Sequence, residues 1–175
     1  MLGSRFRHTA AIAFTPMSQS PPPLAGHLVG AGRKFAIVAS RFNERIVDRL
    51  IEGAVDCLVR HGVETADVRL VKVPGAWEIP LALEELARKG NVDGLIALGA
   101  VIRGETPHFD YVCSGCASGI AGVTERHRLP VGFGVLTCDN SAQAEERAGG
   151  KAGNKGWDAA LAALEMVDLL GRLRV

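Results

Sequence analysis

Several things are scarce in this sequence, and each shortage closes a class of function. Aromatic residues make up only 5% of the 175 residues, and no basic stripe interleaved with aromatics is present, so a nucleic-acid-binding surface is not expected. Net charge is +1, which gives no general attraction to nucleic acid or to an anionic membrane. No apolar run is long enough to span a bilayer. There is no Gly-x-Ser-x-Gly elbow. The glycine- and lysine-rich stretch 149–156 lacks Gly-Lys-Ser/Thr and follows a helical pattern rather than a strand, which argues against a P-loop. Gly30-Ala31-Gly32 precedes the first strand, so it is not a dinucleotide fingerprint.

Cysteine is also sparse. Cys113 and Cys116 form a C-x-x-C, but they have no second ligand pair and no thioredoxin-type helix start. With Cys57 and Cys138 they read as small core residues, and a reducing cytoplasm fits these thiols. His108 and Asp110 have no visible third ligand, so no metal is expected.

What remains suits one compact α/β domain. The chain is 47% hydrophobic, and its length fits a single core. Residues 1–26 stand apart, with Pro21-Pro22-Pro23 and no acidic residue before Glu44. Arg5 and Arg7 faintly resemble a transit peptide, but a disordered tail is the expectation, and Met17 is an alternative start. The domain is expected over residues 27–175.

Apolar runs predict strands at Lys34–Ala39, Val68–Val73, Leu95–Val101 and Val131–Thr137. Asn43 reads as the N-cap of a first helix, whose apolar residues from Ile46 to Val59 keep helical spacing and which ends at Gly62. Further helices are predicted at about Ile79–Lys89, from near His108 to about Arg128, at Ser141–Ala148 and at Asn154–Arg172. Gly132 and Gly134 allow another backbone to approach the fourth strand. The alternation gives a four-stranded parallel sheet with helices on both faces, a flavodoxin-like three-layer sandwich.

Gly99 to Val112 is the most informative stretch. A buried strand runs into the polar turn Arg103-Gly104-Glu105-Thr106-Pro107, and a helix follows. Ligands bind at such a place in open α/β sheets, and free N–H groups at a helix start favour an anion. Thr106 adds a hydroxyl, and Arg103 adds a cation unless it points to solvent. His108 can exchange protons near pH 7. An ordinary strand–helix turn with a surface histidine is the alternative.

Unusual residues recur at each strand exit and beyond: Phe42-Asn43, Gly75-Ala76-Trp77-Glu78, Gly104-Glu105-Thr106-Pro107-His108, Gly132-Phe133-Gly134, Glu146-Arg147-Ala148-Gly149 and Ala152-Gly153-Asn154-Lys155-Gly156. In this order and spacing, over about Lys34 to Leu170, the chain resembles the lumazine synthases of riboflavin biosynthesis. The resemblance implies condensation of 5-amino-6-ribitylaminouracil with 3,4-dihydroxy-2-butanone 4-phosphate to 6,7-dimethyl-8-ribityllumazine, with no metal or organic cofactor. It implies that Phe42 stacks on the pyrimidine ring, with Asn43 beside it among the substrate-binding residues. A hydrophobic staple is the other reading of Phe42.

Ala76, Trp77 and Glu78 are then expected on the ribityl side, although the family tolerates several side chains at the Trp77 position. Glu78 alone would read as a helix-dipole partner. Ala100, Val101 and Ile102 line the ring through backbone groups, and Glu105 and Thr106 meet the butanone phosphate. His108 is the expected catalytic residue, moving protons. The resemblance also implies a homo-oligomer with shared sites, in which Phe133 and Arg147 come from a neighbouring subunit and Lys155 assists. For Arg147 and Lys155 the plain readings are a dipole partner and a solvated residue at a helix start.

A ring of five is implied and, with no insertion at Gly149–Gly153, twelve rings in a hollow shell. In this family the N-terminal segment often adds a strand to its neighbour, a role open to His27–Val29. A non-catalytic flavin or lumazine carrier on the same scaffold is the alternative function, but it needs no butanone phosphate site. A flavodoxin-like FMN protein would need a phosphate loop after the first strand, and Ser40-Arg41-Phe42-Asn43 is a poor one.

Overall fold

In a computed structural model, which describes residues 22–174, four parallel strands form one sheet in the order β2-β1-β3-β4. They are β1 (Phe35–Ser40), β2 (Val68–Val73), β3 (Gly94–Ile102) and β4 (Val131–Cys138). The order follows from their composition. β1 is apolar to Ala39 and buried at every position, as a strand covered on both faces must be. β3 is buried from Gly94 to Ala100. β2 carries Arg69 and Lys72 and is largely accessible, so it takes an edge. β4 takes the other edge.

The helices are α1 (Glu44–Arg60), α2 (Ile79–Lys89), α3 (His108–His127), α4 (Ser141–Arg147) and α5 (Lys155–Leu173). The expected three-layer arrangement is present. One core packs α1, α4 and α5 on one face of the sheet through Leu50, Leu58, Ala144, Ala160 and Leu164. The other packs α2 and α3 on the opposite face through Ile79, Leu83, Ile120 and Val123. α1 buries Ile46, Val47, Leu50, Ala54, Cys57 and Leu58, one stripe at helical spacing. α2 ends at Gly90, whose φ of 65° is the left-handed conformation glycine adopts without strain. α3 ends at Arg128, which is also left-handed, two residues before Pro130. A Cβ on Gly132 would run into the Ala159 carbonyl, so the expected close approach at β4 is the seating of α5 on the sheet.

Three local features go beyond what the sequence pattern shows. Asn43 precedes α1 at φ 59°, but its side chain makes no cap; it reaches across the sheet instead. The glycine-rich connection after α4 is not plain loop: β5 (Ala148–Gly150) and β6 (Gly153–Asn154) form a small antiparallel hairpin. Asn154 ends that hairpin and caps α5, accepting from the N–H groups of Gly156 and Trp157 at 2.8 and 3.2 Å. Its amide also donates to the Arg49 carbonyl of α1 at 2.8 Å, which locks the hairpin to the body. Arg103 does not point freely to solvent but pairs with two aspartates.

The segment before β1 lies along α5 of its own chain. His27 N–H donates to Asp168 at 2.8 Å, and Arg172 donates to the Ala25 carbonyl. The expectations for the start of the tail, including Met17 and the transit-like Arg5 and Arg7, fall outside the described residues. Among the described residues no helix is long and apolar enough to cross a membrane.

Candidate functional site

The strand order changes direction between β1 and β3, so the connections leaving their carboxyl ends run to opposite faces of the sheet and leave a crevice. A cavity of about 660 Å³ lies there. The exit of β1 lends it Phe42, the exit of β2 lends Gly75 to Glu78, and the end of β3 lends Ala100, Val101 and Ile102. Gly104 and Thr106 come from the following turn, and His108, Phe109, Tyr111 and Val112 from the first turns of α3. Nine of the residues singled out in the sequence therefore meet at one place: Phe42, Ala76, Trp77, Glu78, Ala100, Val101, Ile102, Thr106 and His108.

Local bonding explains why the loops hold this shape. The Arg41 and Phe42 N–H groups donate to the carbonyls of Val73 and Pro74, tying the first two strand exits together. Phe42 projects from that tie and is 72% exposed, which a packed staple would not leave open. Its face is available for stacking. Asn43 donates to the Ala100 carbonyl at 2.8 Å, so that carbonyl already has one partner.

Glu78 ends a single 3-10 turn, Ala76–Glu78, and its carboxylate accepts from the Gly75 N–H at 2.8 Å. The contact aims the carboxylate back toward the loop and leaves it further acceptor capacity. Trp77 is 59% exposed and rests against Gly115 of α3, where any Cβ would overlap the indole. Pro80 sits in the same way against Gly119. Two glycines four residues apart on α3 thus let the loop after β2 and the first turn of α2 pack against the helix that begins with His108.

The remaining predicted residues are not brought into this cavity. Glu105 lies in the turn but outside the lining. Phe133 is half exposed on β4 and borders a separate groove of about 600 Å³ with Pro130, Met166 and Leu170. Arg147, at the end of α4, donates to its own Gln143 carbonyl at 2.9 Å. Lys155 pairs with Asp158 at 2.7 Å, one turn along α5.

The sequence motifs assigned no site role to Gly75, Gly104, Phe109, Tyr111 and Val112, which also line the cavity. Tyr111 and Val112 stand three and four residues after His108, so helical spacing alone puts them on its face.

The thiols are not part of this chemistry. Burial pushes the Cys57 and Cys116 thiols up to about 11, and Cys113 and Cys138 are raised in the same sense by the same cause. At neutral pH they are protonated, which suits packing and not nucleophilic attack.

The site is thus an aromatic, mostly apolar crevice with a carboxylate, a hydroxyl and an imidazole, placed where an α/β sheet offers N–H groups to an anion. Known proteins share this chain's pattern. Residues 32–171 match the family model described as 6,7-dimethyl-8-ribityllumazine synthase. A protein of that name from Aquifex aeolicus is 56% identical over 85% of this chain and 97% of its own length. Its namesake from Desulfovibrio desulfuricans is 56% identical over 86% and 96%. A third, from Desulfatibacillum aliphaticivorans, is 53% identical over 85% and 96%. With the match running through every strand and every site loop, the chain belongs to the 6,7-dimethyl-8-ribityllumazine synthase family.

Proposed function

We propose that this chain condenses 5-amino-6-ribitylaminouracil with 3,4-dihydroxy-2-butanone 4-phosphate to give 6,7-dimethyl-8-ribityllumazine. The observation that carries the reading is the convergence of Phe42, Glu78, Thr106 and His108 on one crevice at the β1/β3 switch. The primary amine attacks the ketone, and loss of water gives an imine. Phosphate leaves, and the second amine closes the ring with loss of a further water. Each step moves protons, and none needs an electron carrier.

In this reading Phe42 stacks on the pyrimidine, and Asn43 holds the end of β3 beneath it. Ala100, Val101 and Ile102 line the ring. Glu78, beside Ala76 and Trp77, accepts hydrogen bonds from ribityl hydroxyls. Thr106, next to Glu105 at the start of α3, meets the phosphate, where helix N–H groups and dipole favour an anion. His108 passes protons between the amines, the carbonyl oxygen and the leaving phosphate. Much of the acceleration comes from holding two reactive partners together.

A single chain leaves the pyrimidine and the phosphate each covered on one side. Phe133 and Arg147 are the residues assigned to complete them, and both stand on other parts of the same chain. A head-to-tail contact between copies brings them to the next chain's cavity. The groove around Phe133, with Met166 and Leu173 exposed beside it, is the apolar surface such a contact would cover. An arginine suits the phosphate because its guanidinium is planar and always charged. Lys155 assists only by exchanging Asp158 for substrate. The assembly proposed is a ring of five, with twelve rings in a shell and a cytoplasmic setting.

Mixing the purified protein with both substrates and following lumazine absorbance tests the reading. Formation of the product with release of phosphate supports it. Tight binding of flavin or lumazine with no turnover would mark a carrier instead. Light scattering near the mass of one ring would remove the shell.

A further inference from the structure

Arg103 has no part in the substrate contacts set out above, yet it holds both flanks of the loop that makes them. Its Nε donates to Asp139 Oδ1 at 3.1 Å, and its Nη2 donates to Asp110 Oδ1 at 3.2 Å. Its guanidinium lies 4.1 Å from the centre of the Phe109 ring. Its backbone N–H donates to the Cys138 carbonyl at 2.9 Å. One side chain therefore joins the exit of β3, the first turn of α3 and the residue after β4. Asp139 is itself fixed, since its N–H donates to the Gln143 side chain of α4 at 3.0 Å.

The loop between these anchors has little else to hold it. Gly104, Glu105 and Thr106 make no hydrogen bond to any other described residue. A Cβ on Gly104 would meet nothing. The pairs themselves are exposed, with side-chain accessibilities of 44% for Arg103, 61% for Asp110 and 69% for Asp139. Exposed pairs contribute little to overall stability, so a fork across two carboxylates and an aromatic ring matters here for geometry.

We infer that Arg103 is a positioning residue: by clasping Asp110 and Asp139 it fixes the Gly104–Pro107 loop, and with it Thr106 and the start of α3, at the height the phosphorylated substrate requires. The inference rests on the reading that Thr106 meets that substrate. Its cation is held by two carboxylates and faces Phe109, so its effect on the anion is indirect.

Three variants of the full-length assembled protein test this: Arg103→Ala, Arg103→Lys and the double variant Asp110→Asn with Asp139→Asn. Each is assayed for KM of both substrates, for kcat and for thermal midpoint. Arg103→Ala and the double variant are both expected to raise KM for the butanone phosphate about tenfold, as loss of orientation does. KM for the pyrimidine and the midpoint should barely move. Arg103→Lys should stay close to the alanine variant, because an ammonium cannot fork to two carboxylates or lie flat on a ring.

A damaged Arg103→Ala beside a normal double variant would show that Arg103 touches the phosphate itself, and would overturn the inference. So would an equal loss for both substrates, a fallen midpoint or a normal Arg103→Ala. Thr106→Ala separates the two levels. If it leaves the KM for the butanone phosphate unchanged, the reading of the loop fails, whatever Arg103 does.

Discussion

The side-chain amide of Asn43 donates to the main-chain carbonyl of Ala100 at 2.8 Å, across the gap between β1 and β3. These two strands border the switch point, so one hydrogen bond spans the base of the crevice. Asn43 makes this contact from a left-handed backbone, at φ 59°. Asparagine tolerates that conformation better than most residues.

Replacing Asn43 tests both parts of this arrangement. Asn43→Ala loses a hydrogen bond, about 1 kcal/mol net, and keeps a Cβ in the left-handed region without asparagine's tolerance of it, a further cost of roughly 1 kcal/mol. Asn43→Gly loses only the first. Denaturant unfolding at matched protein concentration should therefore rank wild type above glycine and glycine above alanine. Equal stability of all three would show that the contact contributes nothing.

His108→Ala is expected to lower kcat and leave the affinity for either substrate nearly intact, because its assigned role is proton transfer. The loss should be on the order of 10²–10⁴-fold at most. Steady-state kinetics decide it, and wild-type turnover would remove His108 from the mechanism.

Arg147→Ala should act mainly on the phosphorylated substrate. Among the described residues its guanidinium hydrogen-bonds only to a carbonyl of its own helix, so removing it costs the fold little. The apparent KM for the butanone phosphate should rise while pyrimidine binding changes little. Comparable losses for both substrates would indicate general damage.

Mixed assemblies probe the shared site. If His108 of one chain works with Arg147 of the next, Arg147→Ala and His108→Ala homo-oligomers are each crippled. Random co-assembly pairs two intact halves at about one site in four, by the geometry of a head-to-tail ring. Co-expression should recover about a quarter of wild-type activity. Mixed rings, verified by mass spectrometry, that recover none would place the whole site within one chain.

Gly132→Ala and Gly171→Ala should shift stability in opposite directions. The first drives a methyl into the Ala159 carbonyl and prises α5 from β4, an overpacking cost of about 1–3 kcal/mol. The second sits in α5 with open space around it and removes a flexible helix residue, a gain of roughly 0.5–1 kcal/mol. Thermal unfolding separates the two, and a neutral Gly132→Ala would mean that α5 can settle elsewhere on the sheet.

Much of this protein is local and therefore legible in its sequence. Val68–Val73 and Ile79–Lys89 fall where the apolar spacing puts them, because burial on a sheet or under a helix imposes its own period. The apolar runs at Phe35 and Leu95 are strands as read, and the sheet places both at its centre. The α/β order of elements then placed Phe42, Glu78, Thr106 and His108 at neighbouring strand exits, and the order of unusual residues was enough to suggest the family.

Only the tertiary structure settled the rest, and the reason is common to each case. Asn43 obeys a capping pattern yet bonds to a residue 57 positions away. Arg103 looks like a solvent cation until Asp139, 36 positions on, meets it. The 148–154 hairpin, almost without side chains of strand character, is tied to α1 by Asn154, whose amide reaches the Arg49 carbonyl. Periodicity reports what a residue's immediate neighbours must bury. Which distant partner completes a polar side chain depends on where the packed sheet and helices bring it, and that is decided only once the chain has folded.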